Sequence, residues 1–254
     1  MSIQISAFLW AWKNYEAVSK SLRTLRRFYP DADLFIQVDY EGDVENYTKV
    51  AEQLHATVSR NSFQLGYCGD FGYVKVGRTH WPKTHSFEWL NNLYKACRST
   101  DSKYMIILEE DDFILSPITL LQQDVSIAIH PTYPSPIGAI RPNNIDGRLL
   151  EYSKQKGGVD HAPGYGAGGG AFVNREHYIS AWERCKDYLW NDYDTLADYS
   201  HIVGWQGFIV QYVMMLGGYP VVQNPHLAEH WEVGENWKSF EIITGFKDHT
   251  LVEI

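Results

Sequence analysis

The chain has 254 residues and a formal net charge of −9, a length that suits one large α/β domain with a substantial core. The acidic balance excludes nucleic acid and anionic membrane as main partners, because both need clustered Lys and Arg against phosphate. Three cysteines, Cys68, Cys97 and Cys185, form neither a CxxC pair nor a disulfide framework and read as reduced thiols of a cytoplasmic chain, and no stretch reaches the ~20 apolar residues of a membrane span.

From the N-terminus, Ile3 to Trp10 is a short apolar run that reads as a strand. Between Tyr15 and Phe28, the residues Val18, Leu22, Leu25 and Phe28 recur at helical spacing until Pro30 stops the pattern. Asp33 to Asp39 reads as a second buried strand ending in a carboxylate, and a helical pattern follows from about Val44 to His55. Strand, helix, strand, helix in this order predicts a mostly parallel central sheet flanked by helices, with ligands at the carboxyl ends of its strands. Trp10, Trp12, Asn14 and Asp39 therefore fall on the functional edge by topology. The Gly- and aromatic-rich stretch from Asn61 to Pro82 reads as a loop over that edge, and Ser86 to Arg98 as a helix with Phe87, Leu90, Leu93 and Tyr94 on one face.

Tyr104 to Leu108 is the strongest strand in the chain: five apolar residues that run straight into Glu109, Glu110, Asp111 and Asp112. Adjacent carboxylates repel one another, and at the mouth of a buried strand an uncompensated one resists ionisation. A hard divalent cation, Mn²⁺ or Mg²⁺, takes oxygen ligands and keeps positions open for phosphate oxygens, so this placement suits a metal-diphosphate site. A solvated turn in which Asp112 caps a following helix is the alternative.

The segment YMIILEEDDFILSP, Tyr104 to Pro117, resembles the DxD-bearing segment of GT-A glycosyltransferases. The resemblance implies a single Rossmann-like α/β domain over 1–254, with about 1–115 binding a nucleotide sugar (a UDP- or GDP-sugar) and about 116–254 the acceptor, a glycan or glycoconjugate. It implies a divalent metal on Asp112 and Glu110, with Asp111 a neighbouring contact to the nucleotide sugar or itself the ligand. The five glycines between Gly164 and Gly170 are similar to the family's glycine-rich stretch beside the donor sugar, which points to Gly169 and Gly170. The late His230, followed by Trp237 and Lys238, is similar to the family's C-terminal loop, in which a His completes the metal site and a Lys meets the diphosphate; His226 is the alternative ligand.

In inverting members an acidic residue at the start of a late helix acts as general base, whereas this chain has Trp205 and Gln206 there. The base is then drawn from upstream, Asp198 before Asp192 or Asp194, or the enzyme retains configuration with Gln206 near the sugar. Inversion is slightly favoured. Two other classes are weighed: a sugar nucleotidyltransferase, for which the turn after the first strand lacks the glycines of a triphosphate loop, and a non-catalytic carbohydrate-binding protein, for which the 17 Tyr and 9 Trp would suffice.

Overall fold

The structure, a computed structural model, describes residues 4–11, 14–40, 43–62, 82–131, 146–163, 168–199 and 206–245. In chain order the elements are β1 (Ile5–Ala11), α1 (Tyr15–Phe28), β2 (Asp33–Val38), α2 (Val44–Leu54), β3 (Thr57–Arg60), α3 (Lys83–Arg98) and β4 (Tyr104–Glu109). There follow β5 (Phe113–Ile114), β6 (Ile127–Ile129), α4 (Gly147–Gln155), β7 (Phe172–Asn174) and α5 (Arg175–Tyr199). The described chain closes with α6 (Gln206–Leu216), β8 (Val221–Gln223), β9 (Leu227–Glu229), α7 (His230–Val233) and β10 (Ile242–Thr244).

Seven strands form one sheet in the order β3-β2-β1-β4-β7-β6-β8. Every neighbouring pair is parallel except the two that β7 makes, so the mixed, mostly parallel α/β sheet expected from the sequence is present. From β1 the chain steps outward through α1 and α2 to β2 and β3, then returns to place β4 on the other flank of β1. The carboxyl ends of β1 and β4 thus border the point where the winding reverses, where open α/β sheets bind their ligands.

The two faces of the sheet carry different layers, because successive strand residues point to opposite sides. Ala7, Leu9, Ile36 and Val38 pack with Val18, Leu22 and Leu25 of α1 and with Tyr47 of α2. Phe8, Met105 and Ile107 pack with Trp89 and Leu93 of α3 and with Tyr178 and Val213 of α5 and α6. Helix α1 is fixed at its start by Asn14, whose side chain accepts the Ala17 N–H at 3.0 Å, and at its end by Arg26 and Arg27, which suit the negative end of the helix dipole.

Helix α5 is the main departure from the sequence reading. Asp192, Asp194 and Asp198, the candidate bases upstream of α6, all lie within its 25 residues. Asp is a poor helix former, but Leu189, Tyr193, Leu196 and Ala197 are buried on one face at helical spacing and carry the helix through the acidic stretch. The helix runs antiparallel to α3: Arg175 donates to the Cys97 carbonyl at 3.4 Å near one end, and the Tyr193 and Ser86 hydroxyls meet at 2.7 Å near the other. Its last turn therefore rises toward the carboxyl edge of the sheet.

A second, three-stranded sheet, β5-β10-β9, sits beyond β4. Ile242 pairs with both Ile114 and Leu227, which ties the segment leaving the acidic turn to the segment that precedes His230. Among the described residues no helix is long and apolar enough to cross a membrane. Cys97 and Cys185 are free, buried thiols, each pushed up to about 12 chiefly by burial, and so are poor nucleophiles.

Candidate donor and metal site

The acidic turn is built between β4 and β5. The Asp112 N–H donates to the Glu109 carbonyl at 3.3 Å, and Asp112 Oδ2 accepts the Glu109 N–H at 2.5 Å. Asp112 therefore closes a turn into a short strand and does not cap a helix. Beyond it, Ile114 N–H donates to Thr24 Oγ1 at 3.0 Å, so α1 anchors the exit of the turn. The carboxylate of Asp112 is only 1% exposed, and its Oδ1 has no hydrogen-bond partner among the described residues. Burial, then the charges of Asp111 and Glu109, hold its carboxyl well above the usual carboxylate range, against the lowering effect of the Glu109 N–H. Glu109, Glu110 and Asp111 are half-buried along the rim.

The glycine turn closes over this carboxylate. Gly170 N–H donates to the Ile107 carbonyl at 2.7 Å and Ile107 N–H to the Ala171 carbonyl at 2.8 Å, which stitches the turn to β4. A Cβ on Gly169 would stand 2.1 Å from Asp112 Oδ2 and 2.6 Å from Oδ1, so only glycine admits this approach. Gly170 has φ of +80° and a Cβ there would meet Leu227 and Ile242 at 2.6 and 2.8 Å, so the small sheet packs directly on the turn. Buried His130 lies at 2.6 Å from the Gly169 carbonyl through Nε2 and holds it from the other side.

The loop after β1 reaches the same place. Asn14 N–H donates to Glu110 Oε2 at 3.2 Å across the reversal point, and Trp10 stands in register with Glu109 on one side and Gln37 on the other. Asp39, fully buried, follows β2 at the same edge and takes the Tyr40 N–H on Oδ1 at 3.2 Å. Trp10, Asn14, Asp39, Glu110, Asp111, Asp112, Gly169 and Gly170 thus all lie along one edge.

The remaining expected site residues are placed less centrally. His230 opens α7 directly after β9, half-buried, on the segment that the small sheet ties to the acidic turn. Lys238 is exposed, with its ammonium 5.3 Å from the Trp237 ring centroid. Asp198 is exposed on the last turn of α5. Asp192 accepts the Tyr152 hydroxyl at 2.5 Å and pairs with Lys156 at 3.6 Å, which gives it a structural role. Gln206 is the first residue of α6; Trp12, Trp205, residues 164–167 of the glycine run and most of the loop expected after Asn61 lie outside the described residues. Among the described residues no three His, Cys, Asp or Glu side chains gather into a ready metal cage, so Glu110, Asp112 and His230 do not form one.

Sequence reasoning passed over four residues at this edge. His130 holds the glycine turn, Asn61 donates to Asp39, and Gln37 donates to Asn61. Tyr47 of α2 is fully buried with a hydroxyl that has no partner among the described residues, and burial, then Glu110 and Asp43, raise its pKa. Only the position of Gln37 and Tyr47 inside otherwise apolar patterns hinted at any of this.

No family model matches the chain, and no curated protein matches it by sequence. Solved structures with a similar course of chain include a galactosyltransferase, LgtC, in complex with donor and acceptor sugar analogues, at 13% identity and a TM-score of 0.46 over 94% of this chain and 86% of that one. An active-site mutant of LgtC aligns at 12% identity and 0.45 over the same shares. The glycosyltransferase GlyE of Streptococcus pneumoniae aligns at 12% and 0.42, over 87% of this chain but only 45% of its own length.

Proposed function

We propose that this chain is a metal-dependent glycosyltransferase of the GT-A type, which moves a sugar from a UDP- or GDP-sugar to a hydroxyl of a glycan or glycoconjugate. The observation that carries the reading is the Asp112 carboxylate: buried, flanked by three further carboxylates, one oxygen without a partner, and set where the sheet reverses its winding. A buried acceptor-only group of this kind calls for a cation or a proton.

The donor set fits Mn²⁺ or Mg²⁺, since it is all oxygen and rich in charge. Such ions are commonly held by one or two carboxylates together with substrate phosphates. Asp112 from the buried side and Glu110 from the rim would hold the ion, with His230 the further candidate ligand. Bound there, the metal would act as a Lewis acid that stabilises charge on the departing diphosphate.

The chain's own groups do the rest. Gly169 and Gly170 let the backbone approach donor and carboxylate closely, Asp39 with Trp10 and Asn14 holds base and ribose, and Lys238 is a countercharge for diphosphate oxygens. For the acceptor, Asp198 at the rising end of α5 is the acidic group proposed to take the hydroxyl proton, in keeping with inversion. A retaining reaction in which Gln206 lies beside the sugar is the second reading, favoured by the absence of an acidic residue at the start of α6.

Release of nucleoside diphosphate from a panel of sugar nucleotides with Mn²⁺, with and without sugar acceptors, tests the proposal. Turnover is expected for one donor and is abolished in Asp112→Ala. Calorimetry in which no UDP, GDP or sugar nucleotide binds in the presence of Mn²⁺ would overturn it; binding without turnover would leave a carbohydrate-binding protein.

A further inference from the structure

Away from the acidic turn, a buried polar cluster surrounds Asp39 at the same edge of the sheet. Gln37 and Asp39 are fully buried and Asn61 is 2% exposed. All three stand at the carboxyl ends of β2 and β3, and their backbones are fixed by the sheet: Asp39 N–H donates to the Ala11 carbonyl and Asn61 N–H to the Val38 carbonyl, each at 2.9 Å. Burying such side chains is unfavourable unless each is hydrogen-bonded.

The bonds form a chain with one direction. Ser59 Oγ donates to Gln37 Oε1 at 2.7 Å, and Gln37 Nε2 donates to Asn61 Oδ1 at 2.7 Å. Asn92 of α3 donates its Nδ2 to the same Asn61 Oδ1 at 3.3 Å, and Asn61 Nδ2 donates to Asp39 Oδ1 at 3.4 Å. The direction follows from chemistry. The Asn61 amide turns its NH₂ toward Asp39 Oδ1, which accepts it, and its oxygen away. That oxygen then needs donors, which Gln37 and Asn92 supply, and the Gln37 oxygen is left for the Ser59 hydroxyl. With two donors on its oxygen the amide cannot flip without facing like atoms on both sides.

We propose that Asn61 is a positioning residue, which fixes the plane of the Asp39 carboxylate so that it meets the nucleoside of the donor. The inference rests on the reading of Asp39 as a nucleoside contact. A carboxylate whose orientation is already fixed loses less freedom when it binds, so affinity for the nucleoside rises without new contacts. The metal and diphosphate contacts of the acidic turn do not pass through Asn61.

That separation supplies the test. In the full chain, binding of UDP and GDP with Mn²⁺ is measured by calorimetry alongside binding of Mn²⁺-pyrophosphate, which has no nucleoside. Asn61→Asp, close in shape but with an acceptor facing Asp39, is expected to weaken the bound nucleoside diphosphate at least tenfold while pyrophosphate affinity changes less than twofold. Turnover at saturating donor is expected to stay within about twofold, so the loss falls on KM. Asn61→Ala, which buries no new charge, serves if the first variant does not fold and is expected to show the same split. Equal losses for both probes would reduce Asn61 to a structural residue, and no loss for either would overturn the inference. Wild-type protein that binds pyrophosphate but neither nucleoside diphosphate would instead remove the nucleoside reading beneath it.

Discussion

Gly169 gives the most direct test of the acidic turn, because its hydrogen stands where any other residue would place a carbon against Asp112. In Gly169→Ala the new Cβ, 2.1 Å from Oδ2 and 2.7 Å from Cγ, cannot be accommodated unless the carboxylate moves and gives up the Glu109 N–H. Overpacking of a tight site costs about 1–3 kcal/mol, and the displaced carboxylate no longer presents its oxygens to the proposed donor site. The cost should vanish in the Asp112→Ala background, since the three atoms nearest the new Cβ all belong to the deleted carboxylate. Urea denaturation of wild type, both single variants and the double variant in chelator measures the coupling, expected at about 1–3 kcal/mol for residues in direct contact. Equal destabilisation by Gly169→Ala in both backgrounds would show that Gly169 does not pack on Asp112, and the site as described would be wrong.

The raised carboxyl of Asp112 sets a pH dependence of known sign. The folded chain keeps a proton there that the unfolded chain releases, so this stabilisation is present below the ordinary carboxylate range and is lost as pH rises through the raised folded value. In metal-free buffer the slope approaches about 1.4 kcal/mol per pH unit, and Asp112→Asn should flatten it; identical slopes by thermal melting at several pH values would refute the assignment. Mn²⁺ and UDP or GDP should each raise the affinity of the other by the same factor, and calorimetry that finds them independent would separate the metal from the diphosphate. Asn14→Ala should cost about 0.5–2 kcal/mol by loss of the α1 cap and also weaken donor binding, the two being read by denaturation and calorimetry. Asp198→Asn should lower kcat at least ~100-fold with donor Kd unchanged if it is the general base; unchanged kcat would favour the retaining reading.

The first half of the fold was legible because its elements are long and strongly periodic. The starts and ends expected for α1, β2, α2 and β4 fall within a residue or two of those observed. Strand β3 gave no signal, since it is four residues long with a mostly exposed edge position. The small sheet was equally silent: its strands are two or three residues each, and the pairing of β5 with β10 joins segments over a hundred residues apart that no local pattern records. The acidic turn could be read as a candidate because it follows an apolar strand. Its inner architecture could not, because Gly169 meets Asp112 only through the long-range stitching of the glycine turn to Ile107. Asn61 and His130 belong to the same kind, single polar residues whose meaning depends on partners distant in the chain.

The position of β10 between β5 and β9 also sets an order of assembly. Ile114 leaves the ribosome long before Ile242, its partner in the small sheet, and at about 5–20 residues per second the wait is roughly 6–26 s. Throughout that interval β4 can already pair with β1, yet the strand that leaves the acidic turn has an open edge and the glycine turn lacks its cover from Ile242. The geometry of the acidic turn is therefore a late event in the life of the nascent chain, and translation that stalls before Ile242 should yield a protein with its main sheet begun but its carboxylates not yet held in place.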